Sequence, residues 1–168
     1  GPVGGTVMSN RGLEQKLQAE GVEFLRAKVG DRYVLAMLKE HGGVLGGETS
    51  GHLLCLDRTT TGDGLVSALE VLAVMKRTGR PLAELVAGMP KFPQVMINVR
   101  VRERIDPSQS QVIQDAVRRV EKVLGSTGRV VLRASGTEPV IRVMIEAEDE
   151  AVASRYASEL AEVVRTAI

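Results

Sequence analysis

The sequence predicts a mixed α/β domain followed by a small α+β domain with an antiparallel sheet and one helical layer. Three observations support this prediction. Strand-like apolar runs alternate with helix-like segments three times in the first half of the chain. Segment 88–93 then contains a glycine and two prolines, which is typical of a domain boundary. After it the order becomes strand, helix, strand, strand, helix, as expected for helices on one face of an antiparallel sheet.

The first domain is predicted over residues 3–88. Its strands are expected at three apolar runs, 3–8, 22–29 and 44–56, and the last of these runs through a glycine-rich stretch. Helices are expected over 12–20, over 31–41 with Asp31 as N-cap, and after the caps offered by 59–63. The third helix has Leu65, Leu69 and Leu72 at helical spacing. Crossover helices of this kind cover a mostly parallel sheet.

The second domain is predicted over residues 92–168, with residues 89–91 as the hinge between the domains. Its elements are expected to be a strand at 95–101, a helix at 107–124, strands at 129–133 and 140–147, and a helix from about 150. Glycine at 125 ends the first of these helices.

Composition excludes several classes of protein. The 22 lysines and arginines nearly balance the 21 aspartates and glutamates, and the chain has only two tyrosines, two phenylalanines and no tryptophan. It therefore lacks the charge and the aromatic residues of a general nucleic-acid-binding protein. No apolar run approaches the roughly 20 residues of a membrane span, and there is no signal-peptide pattern, so we expect a cytoplasmic protein without a membrane partner.

The titratable residues do not indicate a metal site. The single cysteine, Cys55, excludes an internal disulfide and lies in an apolar run, which is typical of an inert core thiol. The histidines His41 and His52 have no acidic or thiol residues at metal-ligand spacing around them. We therefore predict no metal in this chain.

The segment after the predicted strand 129–133 has the composition of an anion site. Arg133 ends the strand, Ser135 and Thr137 supply hydroxyls, and Gly136 allows close approach of the backbone. Arg142 alternates away from the apolar row of the next strand and is expected beside the same loop. The alternative is a plain hairpin turn flanked by solvated arginines, and spacing alone favours neither interpretation.

A second polar segment interrupts the predicted strand 44–56. Glu48, Ser50 and His52 lie among glycines, and a carboxylate beside a hydroxyl is suited to hydrogen bonding with adjacent hydroxyls of a sugar. On residue types alone, a glycine-rich bulge with a solvated Glu48 and a structural His52 is the favoured interpretation. Likewise, Lys28 lies before a helix N-terminus, where anions bind, but a solvated lysine is favoured there.

Four motifs, taken together and in order, resemble the α-D-phosphohexomutase family. They are KVGDRYV at 28–34, GETSGH at 47–52, TTTGDG at 59–64 and RASGTEPVIRVM at 133–144. The resemblance is closest to bacterial members that interconvert glucosamine 6-phosphate and glucosamine 1-phosphate through a bisphosphorylated intermediate. Members that act on glucose or mannose phosphates, and a stand-alone phosphosugar-binding regulatory module, are the alternatives.

The resemblance implies that the chain holds the third and fourth domains of a four-domain enzyme, with the sugar-binding domain first and the phosphate-binding domain second. The family's phosphoserine loop and its Asp-Gly-Asp magnesium loop have no counterpart here, so Mg²⁺ is expected outside this chain. The chain alone is therefore expected to be inactive. Its expected partners are a phosphosugar and the N-terminal domains of the same enzyme.

The resemblance also implies roles for individual residues in the sugar-binding domain. Glu48 and Ser50 match the family's contacts to sugar hydroxyls, and this favours the binding interpretation over the structural one. His52 is expected near the reacting sugar oxygen, and Lys28 matches a basic residue that takes part in proton transfer.

In the phosphate-binding domain, the resemblance assigns one loop to the phosphate that is not reacting. Its matching residues are Arg133, Ser135, Gly136 and Thr137, and Arg142 matches a further phosphate contact.

Overall fold

The structure is a computed structural model that describes residues 1–102, 106–136 and 138–168. It divides the chain into two compact units, Gly1–Lys91 and Phe92–Ile168. We call these unit 1 and unit 2.

Unit 1 is a four-stranded mixed sheet with helices. Its elements are β1 (Val3–Thr6), α1 (Arg11–Ala19), β2 (Phe24–Ala27), α2 (Asp31–His41), β3 (Leu45–Gly47), β4 (Leu53–Cys55), α3 (Gly64–Thr78) and α4 (Leu82–Val86). The strand order is β2-β1-β3-β4. β1 is parallel to β2 and to β3, whereas β4 is antiparallel to β3.

Helix α2 packs closely on this sheet. Val34 and Leu38 of α2 are fully buried against Leu54 of β4 and Ala27 of β2. The approach is close because β3 has a glycine where the helix crosses it. A Cβ on Gly46 would lie 2.8 Å from Leu38 and 2.9 Å from Val34.

The prediction of one strand over 44–56 was wrong, because this segment folds as a hairpin. The polar residues between β3 and β4 form its turn, in which the Glu48 N–H donates to the His52 carbonyl at 3.0 Å. The Gly51 N–H donates to the Glu48 carbonyl at 3.0 Å, and Gly51 has a φ of 93°, which favours glycine. The hairpin makes β4 antiparallel and places Glu48, Ser50 and His52 together at its tip.

The predicted N-cap of α2 was displaced by one residue. Gly30 occupies the cap position with no side-chain hydrogen bond, and Asp31 is the first helical residue. The Asp31 carboxylate accepts from the adjacent Arg32 N–H at 2.7 Å.

Helix α3 was predicted correctly, but its leucine stripe is exposed. Leu65, Leu69 and Leu72 are 79%, 65% and 56% exposed, and Val66 and Val71 on the other side are half-buried. The helix thus has apolar residues on both sides. Their spacing predicts a helix, but it does not indicate which side packs on the sheet.

We expect Asp63→Ala to destabilise α3 by about 1 kcal/mol, the usual cost of removing an N-cap. The Asp63 carboxylate accepts from the backbone N–H groups of Leu65 and Val66 at 2.8 and 3.0 Å. Amide hydrogen exchange within α3 measures the loss. Asp63→Ser restores a capping oxygen and should exchange like the unchanged protein, and equal losses in both variants would contradict the capping role.

Unit 2 is a three-stranded antiparallel sheet with two long helices. Its elements are β5 (Gln94–Arg100), α5 (Gln111–Leu124), β6 (Gly128–Ala134), β7 (Val140–Ala147) and α6 (Glu150–Thr166). The strand order is β5-β7-β6. The helix expected from residue 107 begins at Gln111, after a short 3₁₀ turn at Pro107–Gln109.

One face of this sheet is apolar and the other is mostly polar. Ile141, Val143 and Ile145 of β7 are fully buried in a core with Ile113 of α5 and Leu160 of α6. The alternation of β7 places Arg142, Met144 and Glu146 on the opposite face. The predicted fold class, an α/β unit followed by an α+β unit with one helical layer, is confirmed.

The end of the polar face near β7's C-terminus has a structural role. Glu146 is fully buried, and its carboxylate accepts a hydrogen bond from Gln94 Nε2 at 3.0 Å and another from Arg129 Nε. These three residues lie opposite one another on adjacent strands. The carboxylate therefore joins the three strands at this end of the sheet.

Candidate functional site

The turn between β3 and β4 brings three side chains into one hydrogen-bonded cluster, which we call the Glu48 cluster. Ser50 Oγ lies 2.8 Å from Glu48 Oε1 and 2.8 Å from His52 Nδ1. His52 Nδ1 also lies 3.3 Å from Glu48 Oε1. The structure therefore places together the three residues that the sequence predicted in this segment.

The loop containing Lys28 is joined to the Glu48 cluster by the backbone. The Gly30 N–H donates to Glu48 Oε2 at 3.1 Å, and the Glu48 side chain is only 10% exposed. Lys28 is exposed and lies two residues before this bond. Both carboxylate oxygens of Glu48 therefore have protein partners, which fixes the orientation of the cluster.

The geometry of the Glu48 cluster suits hydrogen bonding better than nucleophilic catalysis. In a serine triad the histidine uses one ring nitrogen for serine and the other for the carboxylate. Here Ser50 and Glu48 both approach the same nitrogen, Nδ1 of His52. The cluster offers a carboxylate, a hydroxyl and an imidazole that is 58% exposed, which are the groups that bind a polyol.

The thiol of Cys55 is also poorly suited to act as a nucleophile. It is 8% exposed, and burial, together with the carboxylates of Asp57 and Glu70, raises the pKa of its thiol. A raised pKa disfavours the reactive thiolate.

In unit 2 two arginines face each other on paired strands. Arg133 of β6 lies directly opposite Arg142 of β7. Burial and the positive charge of Arg142 lower the pKa of Arg133. Like charges directly opposite in a sheet are destabilising, so this pair is unfavourable unless an anion lies between the guanidinium groups.

A second observation concerns the guanidinium group of Arg142. Its Nε is buried and has no hydrogen-bond partner among the described residues. An unpaired buried donor on a charged group is costly, and each such case in a native protein needs an explanation. The two arginines together therefore indicate a site for a negatively charged ligand.

The loop after β6 contributes further polar groups. Ser135 is 6% exposed, its N–H donates to the Val140 carbonyl at 2.9 Å, and its Oγ accepts from the Glu138 N–H at 3.3 Å. A Cβ on Gly136 would meet no atom within 4 Å, so this backbone lies in open space that a ligand can reach. Thr137, the remaining predicted loop residue, lies outside the described residues.

The cavity beside Arg133 suits an anion less well than the polar sheet face does. A cavity of about 410 Å³ borders Arg133 on the side of α5, but Asp106 and Glu121 also line it. Carboxylates repel an anion, so that cavity suits a phosphate poorly.

Sequence reasoning missed Glu138 as part of this site. Glu138 Oε2 lies 3.4 Å from Arg142 Nη2. Its spacing of four residues from an arginine resembles a helical pair, and this spacing carries no information in a loop.

The residues described do not fit a magnesium site. No group of three or more histidine, cysteine, aspartate or glutamate side chains is arranged for a metal ion within 1–102, 106–136 and 138–168. Asp63, in the Gly62-Asp63-Gly64 segment, caps α3 with its carboxylate. In the same ranges, no helix has the length and apolar character needed to cross a membrane.

Comparison with known proteins places both units in one family. Residues 1–92 match the family model of phosphoglucomutase/phosphomannomutase, alpha/beta/alpha domain III. Residues 96–163 match the model of the C-terminal domain of the same family. The matches follow the order that the sequence motifs predict.

Two curated relatives are named phosphoglucosamine mutase. The protein from Alkalilimnicola ehrlichii is 57% identical over 167 residues, which cover 99% of this chain and 37% of the relative. The protein from Methylococcus capsulatus is 54% identical over 167 residues, with the same coverage of 99% and 37%. The chain thus spans a little over a third of the length of these relatives.

The fold also matches a solved structure, that of Aspergillus fumigatus N-acetylphosphoglucosamine mutase in complex with GlcNAc-6P and magnesium. The TM-score is 0.82 at 19% sequence identity, over 97% of this chain and 41% of the other. At this identity the likeness concerns the fold. The chain therefore belongs to the phosphoglucomutase/phosphomannomutase family, of which it contains domain III and the C-terminal domain.

Proposed function

We propose that this chain supplies the phosphosugar-binding domains of an enzyme that interconverts glucosamine 6-phosphate and glucosamine 1-phosphate. The observation that carries the proposal is the pair Arg133 and Arg142, which face each other while the buried Nε of Arg142 has no partner in the described part of the chain. The choice of glucosamine rests on the relatives named phosphoglucosamine mutase. In this proposal residues 3–88 form the sugar-binding domain, 92–168 form the phosphate-binding domain, and 89–91 are the hinge.

Unit 2 binds the phosphate that is not reacting. Guanidinium groups donate paired, charge-assisted hydrogen bonds to phosphate oxygens, and the dianion cancels the repulsion between the two arginines. The Ser135 hydroxyl, the backbone at Gly136 and the Thr137 hydroxyl complete the site. A site that recognises charge and tetrahedral shape accepts the phosphate on C1 or on C6, as an intermediate that turns around requires.

Unit 1 binds the sugar ring through the Glu48 cluster. Glu48 Oε1 and Ser50 Oγ accept hydrogen bonds from adjacent hydroxyls, and the Gly30 N–H holds the other carboxylate oxygen in place. His52 is 58% exposed, and it exchanges a proton with the sugar oxygen that gains or loses the phosphoryl group. Lys28, on the neighbouring loop, stabilises the negative charge that develops there.

The phosphoryl group itself is handled outside this chain. The sugar hydroxyl attacks a phosphoryl group carried by another part of the longer protein, which gives the bisphosphorylated sugar. After this intermediate turns around, its other phosphate returns to the donor group. Mg²⁺ supplies charge neutralisation at the transferred phosphoryl group when bound, and we place its ligands outside these residues. Because sugar phosphates are metabolites of the cell interior, we propose a cytoplasmic location.

Calorimetric titration of the chain tests this proposal. We expect glucosamine 1-phosphate and glucosamine 6-phosphate to bind with similar affinity, since the site accepts a phosphate on C1 or on C6. Glucosamine without a phosphate should bind at least tenfold more weakly, because it lacks the negative charge that the arginines require. Equal binding of glucosamine and its phosphates, or no binding of either phosphate, would contradict the proposal. Competition by glucose and mannose phosphates measures the preference for the sugar.

A further inference from the structure

Glu138 is fixed in the loop between β6 and β7 and contacts two of the proposed phosphate-binding residues, Ser135 and Arg142. Its N–H donates to Ser135 Oγ at 3.3 Å, and its carbonyl accepts from the Val140 N–H at 2.9 Å. Its carboxylate lies 3.4 Å from Arg142 Nη2. A negatively charged side chain is thus held beside a site for an anion.

The charge balance of the site depends on this side chain. In the part of the chain that the structure describes, Glu138 is the one carboxylate within ion-pair distance of Arg133 or Arg142. The two side chains of the pair are 61% and 30% exposed, for Glu138 and Arg142 respectively. An exposed pair with a long separation contributes little to stability and is exchanged easily for another anion.

The pairing leaves Arg142 only partly satisfied. Glu138 reaches the terminal Nη2, whereas the buried Nε of Arg142 has no partner among the residues that the structure describes. A phosphate has more acceptor oxygens than a carboxylate and carries up to two charges, so it is a stronger partner for the guanidinium group than Glu138 is. It must, however, displace or approach the carboxylate of Glu138, which repels it.

We propose that Glu138 pairs with Arg142 when no phosphate is bound and competes with phosphate for it. This inference rests on the proposed function of the loop. Its consequence is a limited affinity for the non-reacting phosphate. The bisphosphorylated sugar has to leave this loop once in every reaction cycle in order to turn around, and an internal competitor shortens the time that it stays bound.

Titration of Glu138→Gln with inorganic phosphate tests the inference. The substitution removes the charge and keeps the side-chain shape and the backbone N–H. We expect phosphate to bind about twofold to fivefold more tightly, the range that corresponds to loss of a competing exposed ion pair. The gain should shrink at high salt, where charges are screened. When the titration is followed by NMR, the line shapes should show slower release of phosphate from Glu138→Gln than from the unchanged protein.

Glu148→Gln is the matched control, because Glu148 is also an exposed glutamate of unit 2 and follows the opposite end of β7. It makes the same change in net charge and should leave phosphate affinity unchanged. Equal gains in the two variants would overturn the inference, since they would reflect net charge alone. Unchanged or weaker binding by Glu138→Gln would also overturn it, because a residue that merely orients Arg142 lowers affinity when lost. If the unchanged protein binds no phosphate, the proposed function fails as well.

Discussion

Replacing either arginine of the facing pair with methionine should lower the affinity for glucosamine 1-phosphate at least tenfold. Arg133→Met and Arg142→Met keep the apolar stem of the side chain and remove the guanidinium group. Each hydrogen bond to a charged group contributes about 1.5–3 kcal/mol, and 1.4 kcal/mol corresponds to a factor of ten in affinity. The measurement is titration calorimetry of each variant.

The same substitutions should leave the free energy of unfolding unchanged or raise it. Arg133 and Arg142 lie opposite each other, and removing one guanidinium ends their repulsion. In Arg142→Met the unpaired buried Nε also disappears. A substitution that lowers ligand affinity but does not lower stability is typical of residues that are arranged to bind a ligand. A variant that loses stability while its affinity stays the same would show that the arginines are structural.

Arg165→Ala is a suitable control for these binding experiments. Arg165 lies on α6, on the apolar side of the sheet, and pairs with Glu162 at 2.8 Å. Its removal makes the same change in net charge and should leave affinity for glucosamine 1-phosphate within twofold, because the pair is exposed and its helix packs on the face of the sheet opposite Arg133 and Arg142. A loss equal to that of the facing arginines would indicate attraction by net charge alone.

Gly12→Ala should destabilise unit 1 by about 2 kcal/mol or more, within the range for inserting a methyl group into a packed site. Gly12 is buried in α1, and a Cβ there would lie 1.6 Å from the carbonyl oxygen of Pro90. A backbone atom cannot move away as the tip of a side chain can, so segment 88–91 must shift. Alanine favours helices, so its propensity alone would stabilise α1. A net loss of stability would therefore be due to the contact with Pro90.

Amide hydrogen exchange at Val34 and Leu38 measures this loss in the core of unit 1. Gly64→Ala is the control, since Gly64 begins α3 and a Cβ there would meet no atom within 4 Å. We expect that variant to be as stable as the unchanged protein or slightly more so. If these amides exchanged at the same rate in Gly12→Ala as in Gly64→Ala, the result would contradict the close packing of α1 on Pro90.

The elements with strong local signals could be predicted from the sequence. Asp63 was one of several capping residues before α3, and it caps the helix because its carboxylate reaches two N–H groups in the first turn. The apolar row of Ile141, Val143 and Ile145 at every second position identified β7 and the face that packs on the helices. Such patterns are local, and packing in unit 2 agrees with them.

Features that depend on long-range packing could not be predicted in this way. The apolar residues around 44–56 suit one strand or two. Only the hydrogen bonds of Glu48 with His52 and Gly51 show that a turn separates two strands. Helix α3 has leucines on one side and valines on the other, so the side that is buried depends on the contact with β4. Local patterns leave such choices open.

The candidate site was predictable in its residue types but not in its energetics. The residues around Ser135 suited a hairpin turn as well as an anion site. The structure adds the direct opposition of Arg133 and Arg142 and the unpaired Nε, which depend on strand register. Register is set by pairing across the sheet, so one strand's sequence does not reveal it.

The most direct measurement is the NMR signal of the Arg142 Nε–H group during titration with glucosamine 1-phosphate. Within residues 1–102, 106–136 and 138–168 this buried donor has no hydrogen-bond partner. We expect its proton signal to move downfield in proportion to saturation as the phosphate accepts the hydrogen bond, and the Arg133 signal to respond at the same ligand concentration. Saturating ligand that leaves the Arg142 signal in place would contradict the assignment of the facing arginines as a phosphate site.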